Sequence, residues 1–194
     1  MLDSVSLILA SASVRRKNLM RKAGYDFEVV LSEIDETKFP ADGAEPAEYA
    51  KKLALAKAKD VAGRYKQSLV IGADTIADSQ GRIIGKPDDE KDAEKITRKL
   101  FSSPHKVITG VALVRLADGI ELVKSDTTII YPRRMTEEQI TAHIKGGTWR
   151  GKAGAYAIQE TGDEFVERIQ GSLTNVMGLP MELLEDMLSQ ILHR

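Results

Sequence analysis

Apolar residues in this chain come in short runs, and their spacing switches between that of strands and that of helices. Residues 6–10 form a compact apolar run that predicts a buried strand, and residues 14–23 predict a helix that Gly24 stops. Residues 27–31 predict a second strand. The stretch 32–45 is polar and holds Pro40 and Gly43, so a loop is expected there. Pro46, a favoured first-turn residue, opens a helix whose apolar stripe continues to Val61. Residues 69–77 predict a strand, and residues 78–81 a turn into a short strand at 82–84. Residues 88–101 are amphipathic. Residues 107–116 and 122–131 flank Ala117-Asp118-Gly119 and predict a long hairpin. Helices are expected at 136–145 and 181–192, with a strand at 165–169 between them.

Helices alternating with strands, plus a long hairpin, predict an α/β domain with a mixed sheet. At 194 residues the chain is compatible with one domain, 1–194, and is long enough to bury a core without staples. It has no cysteine, which excludes a disulfide framework and a thiolate zinc site. The first residues lack the basic region and long apolar segment of a secretory signal. No apolar run approaches the roughly 20 residues that cross a bilayer. A soluble cytoplasmic protein with no membrane partner is the expectation. With 28 basic against 29 acidic residues, the formal charge of −1 gives no global field to attract a nucleic acid duplex. Positive potential has to be local, which suits a small anionic ligand.

Ser11, Ser13, Arg15 and Arg16 stand where the first strand gives way to a helix. Hydroxyls and guanidiniums placed there suit a polyanion, because a helix start adds unpaired N–H groups and a positive dipole end. Alone, the same residues also read as an N-cap serine and a solvated basic turn. Asp74 follows the apolar run 69–73 and is expected to be partly buried, so it needs a metal, a proton or a cationic partner. A turn-capping aspartate is the plain alternative. Glu36 is a second acid in the polar loop, beside the loop charges Glu33 and Asp35. Separate carboxylates at a polyphosphate site make sense mainly where a divalent cation bridges them to it. Lys57 reads as a phosphate ligand or as a lysine snorkelling from a helix face. Lys86, between Gly85 and Pro87, is a rigidly presented charge. Residues 81–87 superficially resemble a Walker A loop, but three residues separate the glycines and Pro87 replaces the hydroxyl residue, so a P-loop is set aside. His105, His143 and His193 form no metal constellation, Trp149 reads as a pocket edge or as packing, and the stripe around Leu184 and Met187 as core or dimer packing.

Seven words carry a resemblance: Leu9-Ala10-Ser11-Ala12-Ser13-Val14-Arg15-Arg16, Ile34-Asp35-Glu36-Thr37, Leu55-Ala56-Lys57-Ala58, Ile71-Gly72-Ala73-Asp74-Thr75, Gly85-Lys86-Pro87, Lys152-Ala153-Gly154-Ala155-Tyr156 and Gly178-Leu179-Pro180. In this order the chain resembles the Maf family of nucleoside triphosphate pyrophosphatases, from near the N-terminus to about residue 180. The resemblance implies a mixed, strongly twisted sheet flanked by helices, in two lobes with a central cleft. It implies Asp74 as the base that activates water and Glu36 as a second essential acid, the two holding Mg2+ or Mn2+. Ser11, Ser13, Arg15, Arg16, Lys57 and Lys86 then bear on the triphosphate, and the segment from Lys152 to Gln159 shapes the base pocket. Arg16, Thr75 and Gln159 together resemble the branch acting on dTTP and UTP, and homodimers are common in the family. Two positions depart from the pattern: Val14 stands where the family usually has Pro, and Gly151 where it often has Asp. The rival readings are an inosine triphosphate-type pyrophosphatase, against which Arg15-Arg16 speaks, and a non-catalytic nucleotide-binding regulator of septum formation.

Overall fold

The computed structural model of the chain describes residues 5–155 and 165–192. Its centre is the run 69–79, apolar enough to be covered on both faces. This strand, β3 (Leu69–Ser79), is buried at every position except Thr75, which is half-buried. The other strands are β1 (Leu7–Leu9), β2 (Glu28–Val29), β4 (Arg82–Ile84), β5 (His105–Arg115), β6 (Ile120–Pro132) and β7 (Val166–Gln170). They form one mixed sheet in the order β2-β1-β3-β5-β6-β7, with β4 added to β3. β1 lies parallel to β2 and β3, while β4 to β7 run antiparallel to their neighbours. The hairpin is longer than its apolar pattern suggests, because Arg115 still pairs with Ile120 next to the turn. β2 is shorter than expected, an exposed edge of two residues.

The helices are α1 (Val14–Lys22), α2 (Pro46–Arg64), α3 (Glu90–Leu100), α4 (Glu137–Gly146), α5 (Leu173–Met177) and α6 (Met181–Leu192). Each long helix follows its local signals. Ser13 caps α1, Pro46 starts α2, and Thr136 with Gln139 makes a capping box for α4. α5 is too short to leave a periodic signal and was not expected. Its ends are nonetheless marked, by the Ser172 cap and by Gly178 at φ 113°.

One helix lies unusually close to the sheet. Ala50, Ala54, Ala58 and Ala62 are spaced by four on α2 and are fully buried. Opposite them stand Gly72 of β3 and Gly110 of β5. A Cβ on Gly72 would overlap the Ala54 carbonyl oxygen, and one on Gly110 would overlap the Ala50 backbone. Small residues on both sides therefore set the depth of α2 and of every side chain it carries.

The core divides along the long strands. At one end Leu9, Ile71 and Leu113 pack with Met20 of α1 and Leu184 and Met187 of α6. At the other, Ala77 packs with Leu100 of α3, Ile140 of α4 and Trp149. Trp149 is thus a packing residue, its indole N–H donating to the Ile144 carbonyl. Between the two packed ends, β3 has no strand partner on its β1 side. β1 pairs with it only through Ile71, and β4 only from Ala77. Asp74 and Thr75 fall in that gap.

Candidate active site

The gap opens into a cleft of about 480 Å³, lined by all nine described residues singled out in the sequence: Ser11, Ser13, Arg15, Arg16, Glu36, Lys57, Asp74, Thr75 and Lys86. Gln159 lies outside the described residues. The turn after β1 supplies the serines, the first turn of α1 the arginines, a 3-10 turn at Glu36–Lys38 supplies Glu36, α2 supplies Lys57, β3 supplies Asp74 and Thr75, and the turn after β4 supplies Lys86. Asp35 caps that 3-10 turn by accepting from the Thr37 N–H and hydroxyl, which fixes Glu36 beside it.

Lys57 is not a snorkelling surface lysine. Its Nζ lies 2.6 Å from Asp74 Oδ1 and 2.8 Å from Glu36 Oε1, so one ammonium joins both acids. Asp74 is buried, whereas the Glu36 side chain is only partly covered, 45% of it remaining exposed. Burial raises the Glu36 carboxyl, but the hydrogen bond and charge of Lys57, with Lys86 and Arg16 behind, outweigh this and leave it below its ordinary value.

Arg16 serves two purposes. Its Nε donates to the Gly178 carbonyl at 2.7 Å, Nη1 to Ser11 Oγ at 3.0 Å and Nη2 to Thr75 Oγ1 at 2.9 Å. The second hydrogen on each terminal nitrogen is left for a ligand. Thr75 passes the contact on to Thr109, and the Thr109 hydroxyl donates to the Asn175 carbonyl of α5. Arg16 therefore ties the β1 turn, the centre of β3 and the end of α5 into one wall. Burial draws its guanidinium below the ordinary value, against the pull of Asp74. Ser13 meets the plain expectation too, capping α1 by accepting from the Arg16 N–H at 3.4 Å while lining the cleft.

Lys152 belongs to the segment expected to shape the base pocket, and it also adds a cation to the cleft. Its side chain lines the cleft with Arg15, and burial together with the Arg15 charge holds it below the ordinary lysine value. Glycine at 151 and 154, both with positive φ, shapes the turn that presents it. The Gly154 N–H donates to the Gly85 carbonyl, so the Lys86 and Lys152 turns are joined through their backbones. Arg15, Arg16, Lys57, Lys86 and Lys152 thus face the cleft with only Glu36 and Asp74 to oppose them among the described residues. Such a surface is suited to a polyanion. No three His, Asp or Glu side chains gather as a metal group among the described residues. Two carboxylates still match a magnesium-type ion that takes its other ligands from phosphate and water.

A family model described as Maf-like protein matches residues 6–191. A dTTP/UTP pyrophosphatase of Ruminiclostridium cellulolyticum is 40% identical over 96% of this chain and 96% of its own. One from Geobacter sulfurreducens is 45% identical over 93% of this chain and 94% of its own. Among solved structures, the Ham1 protein of Staphylococcus aureus covers 66% of this chain and 72% of its own at 15% identity, with a TM-score of 0.48.

Proposed function

This chain belongs to the Maf family, and from that premise we propose that it hydrolyses nucleoside triphosphates, dTTP and UTP first among them, to nucleoside monophosphate and pyrophosphate. One observation carries the reading. A buried aspartate, held by Lys57 together with Glu36, stands in a cleft otherwise ringed by cations. Relatives at about 40% identity are named for this activity. A binding protein that only senses nucleotides gains nothing from acids facing a polyphosphate.

In this reading Asp74 takes a proton from the attacking water, and in the free protein the Lys57 ammonium at 2.6 Å fixes the position of its side chain. Arg15, Lys86 and Lys152 hold the phosphate chain and take up charge on the departing pyrophosphate. Arg16 holds the wall and offers its remaining hydrogens. Glu36 and Asp74 fit Mg2+ or Mn2+ as hard oxygen donors, and the bound ion supplies charge neutralisation at the phosphoryl oxygens. The cleft walls on Ile76, Val107 and Val176 offer apolar surface that excludes water.

The pyrimidine preference rests on Arg16, Thr75 and Gln159. The first two are hydrogen-bonded to each other at 2.9 Å, so they act as one unit. Gln159 supplies an amide to the base edge, accepting from N3–H and donating to a carbonyl oxygen, a pattern shared by uracil and thymine but not by cytosine. Incubation with dTTP, UTP, CTP, ITP and 7-methyl-GTP in magnesium, reading pyrophosphate release, tests the proposal. dTTP and UTP should lead by about 5- to 150-fold over CTP, and excess chelator should stop the reaction. Release that persists in chelator, or a lead for ITP or 7-methyl-GTP, would overturn it.

A further inference from the structure

The two acids of the cleft already share one counter-cation from within the chain. Lys57 Nζ touches both, and the Lys57 and Asp74 side chains are each 13% exposed, so water screens that contact weakly. The root of Lys57 is fixed, because Ala54 and Ala58 on either side of it are fully buried against the sheet. Only the four-carbon stem can move. A bare divalent cation approaching this cleft meets five cationic side chains, one of them bonded to the oxygens it needs. A triphosphate meets the opposite field, and its oxygens compete with Glu36 and Asp74 for the Lys57 ammonium.

We propose that Lys57 excludes a free divalent ion from this cleft by occupying Glu36 and Asp74, and that the acids accept the ion only once phosphate oxygens of the nucleotide have taken over its ammonium. The inference rests on the metal-dependent reading above and adds an order of binding to it. Lys57 acts here as a built-in counter-cation. It keeps two like charges together in the free protein and releases them only when a polyanion arrives.

Binding of Mn2+, followed by electron paramagnetic resonance and without turnover, tests this directly. Wild-type protein alone should bind Mn2+ at least about tenfold more weakly than protein holding the α,β-methylene analogue of dTTP. Free Mn2+ in buffer with the analogue serves as the reference for the complex. Lys57→Gln should bind Mn2+ without nucleotide about tenfold or more tightly than wild type, whereas Lys57→Arg, which keeps the charge, should not. Lys57→Met serves as a second uncharged variant should Lys57→Gln fail to fold, and a folded uncharged variant that binds Mn2+ no more tightly than wild type without nucleotide overturns the proposal. Equal Mn2+ affinity with and without the analogue overturns the order of binding and leaves the proposed hydrolysis standing. Failure of the analogue itself to bind, read by calorimetry, overturns both.

Discussion

At the scale of single residues, the cleft is organised by two cations with different tasks. Asp74→Asn keeps the shape of the side chain and its contact to Lys57 but removes the base. Pyrophosphate release should fall about 10²- to 10⁴-fold while circular dichroism stays unchanged, and undiminished release would make Asp74 a structural residue. Thr75→Val deletes the hydroxyl that accepts from Arg16 and meets Thr109. It should lower stability to denaturant by about 1–3 kcal/mol and narrow the kcat/KM gap between dTTP and CTP. A variant as stable and as selective as the wild type would detach Arg16 from base choice. Glu36 gives a pH signature. Its folded pKa lies below the ordinary 4.5, so its ionised form adds stability at every pH above that value, and the contribution is lost as pH falls further through the folded value. Lys57→Gln removes the main partner, so the Glu36 side-chain carbon, followed by NMR, should titrate at higher pH than in wild type. An unmoved titration would mean that Lys86 and Arg16 alone hold the carboxylate.

At the scale of elements, α2 places the chemistry. Lys57 reaches Asp74 because Gly72 and Gly110 let the alanine face of α2 settle onto the sheet. Gly72→Ala should therefore lift the helix, lowering stability by about 1–3 kcal/mol and weakening Mn2+–nucleotide binding with it; denaturant melts and calorimetry would read the two effects together, and a stable, fully binding variant would show that the seam has slack. Most elements were legible because each has its own local signal: the run before Asp74, Pro46 at the start of α2, the alternation around Gly119. Lys57 shows where legibility ends. Its sequence neighbours state that it sits on a helix, but not whether its ammonium meets water, a phosphate or a carboxylate, since Glu36 and Asp74 arrive from other elements. Lys152 shows the same limit, as the backbone bond from Gly154 to Gly85 that brings its turn beside Lys86 leaves no trace in the spacing of the sequence. α5, five residues long, is shorter than the repeat that periodicity needs.

At the scale of the whole molecule, a formal charge of −1 coexists with a cleft dominated by cations. Attraction of the substrate is thus short-ranged and only partly screened, so raising ionic strength should increase KM for dTTP modestly while changing kcat little; steady-state rates across a salt series would check it, and a steep rise of KM with salt would point to long-range steering instead. The wall of that cleft also has a history in time. Arg16 and the Gly178 carbonyl are 162 residues apart in sequence yet 2.7 Å apart in space, whereas β3, β5 and β6 pair with their near neighbours along the chain. As the chain leaves the ribosome, the central strands can meet while the cleft still lacks a side. Only when residue 178 has emerged can the pocket close, so the newborn protein can pair β3, β5 and β6 before it acquires a place to hold a nucleotide.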